Sequence, residues 1–76
     1  MPKITPISWQ DFERVLVKAG CCFDRQEGDH RIYKRDGLKR PIILPMDSDV
    51  PVFIIKNNLR TLNLSRDDYF KLLGNE

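Results

Sequence analysis

Seventy-six residues, with 13 Lys and Arg against 11 Asp and Glu for a formal charge of +2, give room for one domain (residues 1–76) and one core, and none for a second. At 41% apolar and 32% charged residues the chain is neither a disordered acidic tail nor a membrane protein, since no stretch approaches the roughly 20 apolar residues that crossing a bilayer takes. Residues 1–6 lack the apolar run of a secretory signal, so the expected compartment is the cytoplasm and the expected state of Cys21 and Cys22, adjacent and unsuited to a mutual disulfide, is the reduced thiol.

Ser8 followed by Asp11 fits a capping box, with Ile7 and Phe12 as its hydrophobic staple, so a helix is expected to start at Trp9. Trp9, Phe12, Val15, Leu16 and Ala19 repeat on one stripe, which makes the helix core-facing, and Gly20 supplies its left-handed stop. From Cys21 to Gln26 the period shortens to that of a strand. Glu27, Gly28 and Asp29 form a turn, and a second strand is expected from His30 to Arg35. Asp36-Gly37 is a two-residue hairpin signal, and a third strand follows over Lys39–Leu44. A tight turn there places His30 opposite Ile43, with His30, Ile32 and Lys34 on one face and Arg31, Tyr33 and Arg35 on the other. Pro41 cannot donate to a ladder, so this third strand is expected to be an edge or to carry a bulge that changes the register.

After the polar loop Met46–Asp49, Pro51 suits the first turn of a helix, and Val52, Ile55, Leu59 and Leu62 recur on its apolar side up to Asn63. Ser65 with Asp68, stapled by Leu64 and Tyr69, caps a last helix over Arg66–Leu73. The order α-β-β-β-α-α defines an α+β fold, a three-stranded antiparallel sheet with its helices on one face, because neither layer buries its apolar stripe alone.

The placement of charge says more than its sum. Arg31, Lys34, Arg35, Lys39 and Arg40 stand against Asp36 alone, while acids gather in the loop before them (Asp24, Glu27, Asp29) and near the C-terminus (Asp67, Asp68, Glu76). One face should be basic. There is no glycine-rich phosphate loop, nucleophile elbow or zinc-spaced cluster, so neither a metal nor another cofactor is implied. The lone histidine, His30, opens a strand beside these cations. A proton carrier near neutral pH with cations for an anionic transition state suits metal-free phosphodiester cleavage of RNA, whose own 2′-hydroxyl is the nucleophile. A surface histidine and solvated basic side chains account for the same residues. Tyr33 either packs or stacks on a base. Trp9 belongs to the core stripe, and Asp29 either orients the imidazole or ends the turn.

Lys18-Ala19-Gly20, Phe23, Arg25, Gln26, Gly28-Asp29-His30, Ile32-Tyr33, Asp36-Gly37, Ile43 and Leu44-Pro45, followed by a helix and a short helix opened by Leu64-Ser65, resemble the HicA toxins of bacterial toxin–antitoxin pairs. The likeness covers nearly the whole chain. It implies a double-stranded-RNA-binding-domain-like fold, endonucleolytic cleavage of mRNA that arrests translation, and a HicB-type antitoxin as partner. His30 takes the place of the family's catalytic histidine. Gly28 belongs to the same motif, and Arg31, Tyr33, Lys34 and Arg35 are the other candidate RNA contacts. Asp29 stands where the family usually has serine, and Arg31 where a second histidine is common. The alternatives are an RNA-binding module of the same fold without catalysis, and a protein-interaction domain with a basic face.

Overall fold

A computed structural model describes residues 3–74, so the first two residues of the N-terminal segment and the acidic Glu76 lie outside the described residues. The chain runs α1 (Trp9–Lys18), β1 (Cys22–Glu27), β2 (His30–Lys34), β3 (Ile42–Pro45), α2 (Val52–Leu62) and α3 (Arg66–Leu73). The strands form one antiparallel sheet in the order β1-β2-β3, an architecture consistent with the double-stranded-RNA-binding-domain type.

The caps explain where the helices sit. Ser8 accepts a hydrogen bond from the Asp11 amide at 3.2 Å and Ser65 one from the Asp68 amide at 3.0 Å, each satisfying an amide the helix itself leaves unpaired. Asn63 ends α2 in the left-handed region at φ 59°. The apolar stripes of α1 (Phe12, Val15, Leu16) and α2 (Ile55, Leu59, Leu62) meet Tyr33, Ile42 and Leu44 from one face of the sheet, and Tyr69 of α3 joins the same cluster. Cys21 is buried there, whereas Cys22 is exposed, and both are free thiols.

The third strand differs from the sequence expectation. Asp36 and Gly37 do turn the chain, with the Leu38 amide bonded to the Arg35 carbonyl at 3.1 Å, but pairing resumes only at Ile42, opposite Tyr33. Lys39, Arg40 and Pro41 are outside the sheet, in keeping with a proline that has no amide to give a ladder. His30 therefore faces Pro45 rather than Ile43. A shift of two residues preserves which side chains share a face, so the predicted facing survives the wrong partner.

Candidate nucleic-acid interface

Glu27 and His30 close a two-residue turn whose first position, Gly28, adopts φ 59° and whose second, Asp29, does not. That is the pattern of a II′ turn, which wants glycine first. Gln26 Nε2 bonds the Gly28 carbonyl at 3.2 Å, and the Met46 amide bonds the Asp29 carbonyl at 2.8 Å. No hydrogen bond joins the Asp29 carboxylate to the imidazole among the described residues, so its place in the turn accounts for Asp29. The turn sets His30, exposed, as the first residue of β2.

The next residue points the other way. Arg31 runs along the helix-covered face, where Nη2 lies 3.1 Å from Glu13 Oε2 of α1 and Nε donates to the Tyr33 hydroxyl at 3.0 Å. Its guanidinium carbon stands 4.1 Å from the centroid of the Phe23 ring and 5.3 Å from that of Trp9. Tyr33 is fully buried and its hydroxyl donates to Glu13. Burial first, and that hydrogen bond second, push the Tyr33 phenol up to about 12, so it is neutral throughout the neutral range. Of the contacts expected from the sequence, Arg31 and Tyr33 lie on the packed face of the strand instead. Tyr33 has no face open to a base, and the Arg31 guanidinium is engaged by a carboxylate, a hydroxyl and aromatic rings.

The remaining candidates stay at the surface. Lys34 is exposed on the His30 side of the strand, 3.6 Å from Asp24. Arg35 follows the end of β2 and braces the end of α1 through a 3.1 Å bond from Nη1 to the Ala19 carbonyl. Nothing lies within 4 Å of where a Gly28 side chain would begin, so the backbone is open to approach at that turn.

Because Lys39 and Arg40 leave the sheet, the loop carrying them stands apart from α2, and a cleft of about 870 Å³ opens between that loop, the β3 edge and the helix. His30, Arg35, Lys39, Arg40 and Arg60 line it, together with Asn57, Asn58 and Thr61 of α2 and the apolar Leu38, Ile43 and Ile54. No carboxylate does. Four cations and the histidine thus share a concave surface without a competing acid, which gives it a positive potential and a titratable group together. Asn58 Nδ2 bonds the Ile43 carbonyl at 3.1 Å and fixes α2 to the free edge of β3. Among the described residues no cluster of three or more His, Cys, Asp or Glu side chains is placed to hold a metal, and no helix is long and apolar enough to cross a membrane.

The hairpin cations were expected from the sequence, but the helix wall of the cleft, with Asn57, Arg60 and Thr61, was not. Their signal was present. The segment Val52–Leu62 carries Lys56 and Arg60 and no acid, unusual for the polar side of a helix that serves only to be solvated.

A family model described as the HicA toxin of bacterial toxin-antitoxin systems matches residues 9–64, from the first residue of α1 to just past the end of α2. No individual curated protein matches the chain.

Proposed function

From the premise that the chain belongs to the HicA toxin family of bacterial toxin–antitoxin systems, and so is a toxin with an antitoxin counterpart, we propose that it is a metal-independent endoribonuclease that cleaves mRNA in the cytoplasm. The observation that carries the reading is the cleft just described: His30 beside Arg35, Lys39, Arg40 and Arg60 with no carboxylate among them. The whole of residues 1–76 is read as one toxin domain.

In this reading the RNA backbone passes the open Gly28 turn and reaches His30. The imidazole takes the proton of a 2′-hydroxyl as its oxygen bonds to the adjacent phosphorus, the P–O5′ bond breaks to leave a cyclic phosphate, and the departing O5′ takes a proton from solvent. As negative charge grows on the non-bridging oxygens, Arg35, Lys39 and Arg40 stabilise it, and Lys34 contacts a phosphate outside the cleft. Arg31 and Tyr33 act from behind, holding the strand that carries His30 against α1. A HicB-type antitoxin would neutralise the toxin by covering His30 and the cations with an acidic surface. A complex with His30 open and cleavage intact would contradict that part.

The competing reading, RNA binding without cleavage, draws support from the lack of any side chain hydrogen-bonded to His30 among the described residues. Purified wild type and His30→Ala, incubated with a single-stranded RNA in EDTA, separate the two. Cleavage by the wild type and its loss by roughly 10²- to 10⁴-fold in the variant is the expected result. RNA bound but left uncut by both would move the assignment to the binding module.

A further inference from the structure

The cations of the cleft account for phosphate, but half of its lining has no use for phosphate. Ile43 is 47% exposed on the free edge of β3, and it shares the cleft with Leu38 and Ile54. Such a patch calls for a flat apolar partner. On the α2 side the polar groups are not equivalent. The Asn58 amide is engaged by the Ile43 carbonyl, and the Thr61 hydroxyl bonds the Asn57 carbonyl at 3.2 Å. Asn57 is exposed, and its Oδ1 accepts from Arg60 Nη1 at 3.3 Å, an arrangement that orients the amide nitrogen as a donor without a partner among the described residues.

Resting on the ribonuclease reading above, we infer that the cleft is a base-recognition subsite: an unpaired base lies with its face on Ile43 and its edge against Asn57, while the flanking phosphates turn to Lys39 and Arg40. At about 870 Å³ the space is of the size that takes one small ligand, roughly 300–1,000 Å³, and suits a nucleotide better than a duplex. A paired base has its faces covered by its neighbours, so a duplex would leave Ile43, Leu38 and Ile54 without a partner. A splayed base fills the apolar surface, offers hydrogen-bonding edges to an amide, and brings phosphates that match a cleft lined by cations and no acid. Asn57 is then a specificity-determining residue, and His30 acts on a phosphate next to the base it holds.

The test uses the full chain carrying His30→Ala, so that bound RNA is not consumed, and fluorescence anisotropy with three labelled probes: a short single-stranded RNA, the same strand in a duplex, and an abasic strand with the same phosphates. The single strand should bind roughly tenfold tighter than either of the others. Asn57→Ala and Ile43→Thr should each erase most of that advantage and leave the abasic probe within about twofold, with folding checked by circular dichroism. Equal binding of intact and abasic strands would overturn the subsite in favour of a phosphate-only patch. Preference for the duplex would overturn it as well, and so would an antitoxin that binds a chain with no RNA affinity, which would make the cleft a protein surface. The nuclease reading fails or stands separately: base-dependent binding without cleavage by the unmutated chain keeps the subsite, and His30-dependent cleavage without base dependence keeps the nuclease.

Discussion

Strand β2 has two sides in different physical situations. On the helix-covered side, Arg31 and Tyr33 are tied to Glu13, to each other, and to the rings of Phe23 and Trp9. On the other side, His30 and Lys34 are exposed, and His30 borders a cleft whose cations face no acid. Neighbouring residues of one basic-looking run thus do opposite work. Charge compensated by a half-buried network stabilises the fold, whereas charge left uncompensated in a concavity is free to meet an anion. Residue type alone does not distinguish the two; within β2 the period of the strand separates His30 from Arg31, whereas Arg35, just past its end, reaches the cleft from the Arg31 side of the alternation.

The largest effects are expected on the covered side. Tyr33→Ala removes a fully buried ring and should cost about 3–5 kcal/mol by chemical denaturation. Tyr33→Phe keeps the ring but removes the hydroxyl between Glu13 and Arg31, and should cost about 1.5–3 kcal/mol. A loss below about 0.5 kcal/mol, the level of ordinary surface substitutions, would mean the network contributes little.

Alkaline pH tests the same side. Burial pushes the phenols of Tyr33 and Tyr69 from 10.0 up to about 12, so the fold favours the neutral form of both. The stability linked to them is fully present below pH 10.0 and is lost as pH rises from there through about 12, where the unfolded chain has released its protons and the folded one still holds them. Each tyrosine should contribute a slope of about 1.4 kcal/mol per pH unit within that window, and Tyr33→Phe should remove one such contribution. A flat profile in denaturation experiments across that range would contradict the burial of both phenols.

On the open side, replacing Lys39 and Arg40 together with alanine should leave stability within about 0.5 kcal/mol. Binding of single-stranded RNA should weaken roughly tenfold, and the slope of log affinity against log salt should flatten by about 1.4. An unchanged salt slope would show that these side chains meet no phosphate. The smallest effect is expected at Tyr69, whose buried hydroxyl has no hydrogen-bond partner among the described residues. Tyr69→Phe should leave stability unchanged or raise it by up to about 1 kcal/mol, in contrast to Tyr33→Phe.

The helices were legible because their signals are local. Ser8 with Asp11 and Ser65 with Asp68 cap as read, and the stripe from Val52 to Leu62 delivers α2, with Pro51 at its N-cap rather than in its first turn. The facing of β2 was legible for the same reason, since alternation depends only on the strand's own period. The pairing partner of His30 was not, because Asp36-Gly37 signals a turn but does not say where pairing resumes, and Pro41 delays it to Ile42. The same delay releases Lys39 and Arg40 from the sheet and opens the cleft, so the least predictable segment shapes the candidate site. Arg31 read as a phosphate contact because Glu13, the acid that engages it, lies on another element and meets it only in three dimensions.

The division of labour between His30 and Arg31 is tested most directly by single-turnover cleavage of one RNA by His30→Ala and Arg31→Met, each measured per folded molecule. A loss of roughly 10²-fold or more is expected for His30→Ala at unchanged stability, and a rate within about threefold of wild type for folded Arg31→Met despite its lower stability. Cleavage that survives His30→Ala, or that is abolished in folded Arg31→Met, would contradict that division.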